Sequence, residues 1–124
     1  MVNKNIQSYR DLLVWQKSMK LAKVIYFLVK KLPKEETYSL SDQMRRAATS
    51  IPSNIAEGYE RHTKKEYSHF LFIARGSNAE LNTLLQLCID IDYLTENEVK
   101  EAIELSNEIG KILTTIIKKL TPSP

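Results

Sequence analysis

Glu66 and His69 stand three residues apart in a stretch of helical pattern. That E-x-x-H spacing puts a carboxylate and an imidazole on one helix face, as in di-metal bundles. Such a site needs the motif twice, with two further inward glutamates. The chain has only two histidines, and His62 has Tyr59 where the second motif requires glutamate. Glu66 has a simpler use. With Thr63 it forms "TKKE", a capping box in which each side chain satisfies one orphan amide at a helix start. Cys88 lies between Leu84 and Ile91 with no histidine close in sequence, so it reads as a buried, unreactive thiol. No phosphate-binding glycine loop, nucleophile elbow or metal-spaced Cys/His cluster occurs. The residues point to no catalytic site, no metal and no cofactor.

The elements that would carry any other function are helices. The chain has 124 residues, with 3 Gly, 4 Pro and 27% charged residues. That is the composition of one helical globular domain, large enough to bury a core without a staple. A single cysteine rules out an intrachain disulfide. The N-terminus lacks a secretory pattern, and the longest apolar run, Val24 to Val29, is far short of a bilayer span. These features predict a soluble, cytoplasmic protein with no membrane partner.

Four amphipathic patterns follow. The first runs from about Asp11 to Leu32, with a heptad seam of Leu12, Trp15, Met19, Ala22, Tyr26 and Val29, and stops at Pro33. The second starts after a Ser39 or Ser41 cap and runs to about Glu60 on Met44, Ala48, Ile51, Ile55 and Tyr59. The third follows Thr63 on Phe70, Ile73, Ser77, Leu81, Leu84, Cys88 and Ile91. The fourth opens with a second capping box, "TENE", at Thr95 and Glu98. Its seam is Val99, Ala102 or Ile103, Ser106, Ile109, Leu113, Ile116 and Leu120, ended by Pro122. Short connections force antiparallel neighbours, which predicts an all-α, up-down-up-down four-helix bundle over residues 9–120. Residues 1–8 and 121–124 are expected to be loose ends.

The first helix carries a second apolar set: Val14, Leu21, Ile25, Leu28 and Leu32. The two sets together span an arc of roughly 200°, where a surface helix needs little more than about 100°. A deeply seated helix or a subunit interface would account for it, and the interface is the stronger reading. Charge is also uneven. Net charge is only +3, yet residues 10–34 hold seven basic side chains against Asp11 alone. Lys17, Lys20, Lys23, Lys30, Lys31 and Lys34 share the remaining arc with Phe27. This is a candidate RNA- or DNA-contact strip, with lysines on phosphates and Phe27 available to a base. A merely solvated face is the plain alternative.

The stretch "RRAATSIPSNIAEGYER" (45–61) puts Pro52 inside the second helix, where it removes an amide and predicts a kink. Asn54, Glu57 and Arg61 share one side. The third helix offers Arg75, Ser77, Asn78 and Glu80. A polar network between these helices is expected, with Arg46 or Arg75 paired to Glu57 or Glu80. Gly58 and Gly76 would let the backbones approach. Arg45 belongs to the same motif.

Together with "YRDLLVWQKS" and "FIARGSNAEL", this stretch resembles the four-helix-bundle family associated with intervening sequences in bacterial 23S ribosomal RNA genes. The resemblance covers about residues 9–120. It implies a bundle assembled as a ring-shaped homopentamer, without enzymatic activity. That family is similar in fold to the accessory proteins of diversity-generating retroelements, basic barrels that bind nucleic acid and a reverse transcriptase. The functional expectation is a non-catalytic homo-oligomer contacting RNA through the basic face of its first helix. The alternative is a scaffold for a protein partner with no nucleic acid.

Overall fold

The computed structural model describes residues 5–121, and among these all regular structure is helical. Expectations for residues 1–4 and for Pro122 to Pro124 lie outside the described residues. Helix α1 spans Leu13–Leu28 and tightens into a 3₁₀ turn, Val29–Lys31. Helix α2 spans Leu40–Tyr59, α3 Lys64–Asp90 and α4 Glu96–Leu120. Helix α1 packs against α2 and α4, and α3 packs against the same two from the opposite corner. Cross-helix contacts run in opposite senses: Lys17 meets Glu108 while Lys31 meets Glu98, and Met44 meets Cys88 while Ser50 meets Ser77. The neighbours are therefore antiparallel, as short connections require. None of the described helices is long and apolar enough to cross a membrane.

Capping explains the helix starts. Thr95 and Glu98 form the complete reciprocal box expected of "TENE". At α3 only half of the box forms. The Glu66 amide donates to Thr63 Oγ1 at 3.1 Å, but the Glu66 carboxylate takes the Thr63 hydroxyl instead of its amide. Neither Ser39 nor Ser41 caps α2 through its side chain, contrary to expectation. Glu36 does that work from the preceding turn. Its Oε1 accepts from Ser39 Oγ at 2.7 Å and from the Leu40 amide at 3.4 Å, and its Oε2 accepts from Tyr93 Oη at 2.8 Å. The other end of α3 closes on Asp92, whose φ is 64°. The Tyr93 amide returns to the Cys88 carbonyl and the Asp92 amide to that of Ile89, a left-handed helix stop with aspartate where glycine is commoner.

The Glu36 latch has a pH signature. The Ser39 hydroxyl, then the Tyr93 hydroxyl, hold the Glu36 carboxyl below its ordinary value. The Thr95 amide and Lys31 do the same for Glu98. A carboxylate whose folded pKa is depressed contributes stability above its unfolded pKa and loses it as pH falls through the folded value. Thermal stability should therefore drop as pH falls below the usual carboxylate range. Glu36→Gln should lower the melting temperature at neutral pH and flatten the acid limb of a melting-temperature profile.

The core draws on all four helices, but two predicted seams are displaced. In α2 Met44, Ala48, Ile51 and Ile55 are buried as expected. So are Val99, Ala102, Ser106, Ile109 and Leu113 in α4. In α1 the core is the second apolar set, Val14, Leu21, Ile25 and Leu28, joined by Ser18; of the heptad seam Ala22 and Val29 are buried, while Met19 and Tyr26 stand 45% exposed. In α3 the core is Leu71, Ala74, Asn78, Leu81, Leu85 and Cys88. Of the predicted seam, Leu81 and Cys88 are in this core, whereas Phe70, Ile73, Ser77 and Leu84 lie one position off it and Ile91 is exposed. The physical reason is common to both helices. Each carries two overlapping apolar stripes, and only one can face the bundle centre.

Candidate functional site

The predicted lysine strip is divided by α4. That helix presents a row of glutamates to α1, and three lysines reach it: Lys17 Nζ to Glu108 at 3.2 Å, Lys20 to Glu101 at 3.6 Å and Lys31 to Glu98 at 3.0 Å. Each such surface pair is worth only about 0–1 kcal/mol, but each sets a negative charge against the positive one that a phosphate would feel. Among the described residues, Lys23, Lys30 and Lys34 have no carboxylate within ion-pair distance. Phe27 is 57% exposed, and Lys30 Nζ lies 5.1 Å from its ring centroid. The strip thus separates into a neutralised edge along α4 and a basic, aromatic edge with Lys23, Phe27, Lys30 and Lys34. The spacing of Glu98, Glu101 and Glu108 carried this signal once α1 and α4 were taken as antiparallel neighbours.

The residues of the 45–61 motif fall into local roles. Arg45 Nη2 donates to the Thr37 carbonyl at 3.1 Å and ties the α1–α2 loop to α2. Arg46 pairs with Asp42, and Glu57 pairs with Arg61 at 2.8 Å along their own helix. The expected cross-helix pairing to Glu57 or Glu80 is therefore incorrect. Side chains four apart on one helix reach each other more readily than side chains across it. Arg75 instead stacks 5.0 Å over Phe72 and makes a long contact to Thr114 Oγ1, at 3.4 Å. Glu80 is exposed and makes no ion pair among the described residues. Pro52 is buried within an unbroken α2. Asn54 Nδ2 turns back to the Ser50 carbonyl at 2.8 Å and to Ser50 Oγ at 3.0 Å. Ser50 Oγ in turn meets Ser77 Oγ at 2.8 Å, so α2 and α3 do share a polar link, made of hydroxyls and an amide.

Gly58 lets α2 and α3 close. A Cβ there would meet Phe70 Cβ at 2.7 Å and the Tyr67 carbonyl oxygen at 3.2 Å. Gly76 has no such role, since nothing lies within 4 Å of a Cβ built on it. A polar network that the sequence reading missed joins α3 to α4. Buried Asn78 donates to the Ser106 carbonyl at 2.9 Å and accepts from Ser106 Oγ at 2.9 Å, while Asn82 donates to the same hydroxyl at 3.0 Å. Every bond of this group is internal, which suits register fixing. Cys88 is buried against Met44 Sδ at 3.7 Å, and burial raises its pKa, so the thiol stays protonated. Among the described residues no group of three His, Cys, Asp or Glu side chains is placed to hold a metal.

Two apolar stripes remain at the surface, on the displaced seams. One runs along α1, through half-buried Leu12 and Trp15 to exposed Met19 and Tyr26. The other runs along α3, with exposed Ile73, Leu87 and Ile91 around half-buried Leu84. Because α1 and α3 occupy opposite corners of the bundle, the stripes are two separate patches.

Residues 10–115 match the family model of the 23S rRNA-intervening sequence protein. A crystal structure from Bacteroides thetaiotaomicron, of a protein with unknown function from the S23 ribosomal protein family, is 33% identical. The match covers 86% of this chain and 99% of that one, with a TM-score of 0.79. No curated protein matches the chain.

Proposed function

Because the chain belongs to the 23S rRNA-intervening sequence protein family, we propose that it is a non-catalytic, cytoplasmic helical-bundle protein that works as a homo-oligomer. The observation that carries this reading is the pair of exposed apolar stripes on α1 and α3. Large apolar side chains set at helical spacing on two separate faces suit a partner surface better than water. A contact between two different patches is heterologous, and such contacts close into a ring when the rotation divides the circle. A ring of five is the state that the family resemblance implies.

RNA contact is the second part of the reading, favoured by the basic, aromatic edge at Lys23, Phe27, Lys30 and Lys34. Ring closure repeats that edge in every subunit and multiplies its field. The test is a salt series of affinities for single-stranded RNA. Lys23→Glu, Lys30→Glu and Lys34→Glu together should abolish binding, and their glutamine counterparts should reduce the salt slope by about two. Lys17→Gln with Lys20→Gln should do much less, because those lysines already face glutamates. An oligomer indifferent to RNA at low salt would replace this part with a scaffold for a protein partner.

A further inference from the structure

Where the 3₁₀ end of α1, the following loop and the first turns of α2 meet, they enclose a cleft of about 350 Å³. That volume falls at the lower end of small-ligand sites. Val29, Leu32 and Pro33 give it an apolar side, while Lys30, Lys34 and Arg45 supply cations, and no carboxylate lines it. The nearest acid to these cations is Asp42, 3.9 Å from Arg45 Nη2. Ser41 also lines the cleft. It is 3% exposed, and its hydroxyl makes no hydrogen bond to any described residue. No fully sealed side-chain polar atom among the described residues lacks a partner, so the Ser41 hydroxyl opens on the cleft.

We infer that this cleft is an oxyanion site that takes the phosphate group of a nucleotide. Lys30 and Lys34 supply the charge, Arg45 supplies guanidinium donors it does not spend on Thr37, and Ser41 donates its unpaired hydroxyl. Charge-assisted bonds of this kind are the strong ones. Phe27, beside Lys30, stacks on the attached base. The inference deepens the RNA contact proposed above and rests on it, since it adds Ser41 and Arg45 of α2 to a surface previously drawn from α1 and the turns that follow it. Arg45 positions the loop as well, so it is left intact in the test.

The phosphate can arrive free or within RNA, and two measurements on the full chain separate these sources. The first is thermal melting in dilute inorganic phosphate against chloride at matched ionic strength, below the concentrations at which phosphate stabilises any folded protein by exclusion from its surface, so that a rise reports a ligand that binds only the folded state. The second is fluorescence anisotropy with a labelled single-stranded RNA. Phosphate should raise the wild-type melting temperature above that in chloride, and Ser41→Ala with Lys34→Gln should remove the difference. RNA affinity should fall about tenfold or more with Ser41→Ala, the value of one hydrogen bond to a charged group, and further with Lys30→Gln and Lys34→Gln. Absence of a phosphate-specific rise in the wild type, or its persistence in the Ser41→Ala, Lys34→Gln protein, would overturn the site. If RNA binds and is weakened by Lys30→Gln and Lys34→Gln but not by Ser41→Ala, the RNA reading survives and the cleft does not. A Ser41-dependent phosphate effect without RNA binding leaves the cleft as a site for free phosphate and removes the RNA reading.

Discussion

Leu87→Asp combined with Ile91→Asp should turn the proposed oligomer into a folded monomer. Both residues are more than 40% exposed in the protomer, so the change removes little from the bundle core. In the assembly, burial of a leucine or isoleucine contributes about 1.5–3 kcal/mol, and a carboxylate in its place must also be desolvated without a partner. The combined loss of several kcal/mol corresponds to roughly a thousandfold or more in subunit affinity. Size exclusion with light scattering reads the mass, and circular dichroism checks that helicity is retained. Met19→Asp should act in the same direction from the α1 side. Because the proposed contact joins unlike patches, an equimolar mixture of the two variants should recover one good interface and stop at dimers. Recovery of the full ring, or no association at all, would argue against an α1-to-α3 contact.

Gly58→Ala should destabilise the protomer by about 1–3 kcal/mol, the usual cost of overpacking. The new methyl group would lie 2.7 Å from Phe70 Cβ and 3.2 Å from the Tyr67 carbonyl. Neither can move without moving α3, since one is the root of a side chain and the other is backbone. For a domain of this size the melting temperature should fall by roughly 4–15 °C. Gly76→Ala provides the control. Nothing lies within 4 Å of its Cβ position, so the gain in helix propensity, about 0.5–1 kcal/mol, should appear unopposed. If Gly58→Ala is neutral, the close approach of α2 and α3 has been overstated.

Four helices, their order and their antiparallel packing were legible from the periodicity, the threonine caps and the short connections. The choice of core face was not. In α1 the heptad seam of Leu12, Trp15, Met19, Ala22, Tyr26 and Val29 is as regular as the set of Val14, Leu21, Ile25, Leu28 and Leu32; the second set and only Ala22 and Val29 of the first are buried, and periodicity alone does not rank them. In α3 Asn78 argues against its own stripe when the helix is read alone. Only Ser106, brought opposite it by α4, makes the buried amide affordable. The Glu36 cap was hidden for a similar reason, because Tyr93, its second donor, arrives from the α3–α4 loop.

Charge was readable in amount but not in placement. The excess of lysine on α1 is plain, yet its meaning depends on Glu98, Glu101 and Glu108 far along the chain. Glycine inside an apolar helix pattern signals close approach, and the signal holds at Gly58 but not at Gly76, which faces no neighbour. The partners of Arg46 and Glu57 were misassigned because two options on their own helix were nearer. Ser41 left no trace in the sequence beyond being a serine at a helix start, and its unpaired hydroxyl appears only once the loop has folded over it.

Native mass spectrometry of the full chain at micromolar concentration tests the central claim most directly. The account predicts one dominant species at five times the 14.3 kDa chain mass, broken down by Leu87→Asp with Ile91→Asp. A monomer as the only species in the unmodified protein would contradict it.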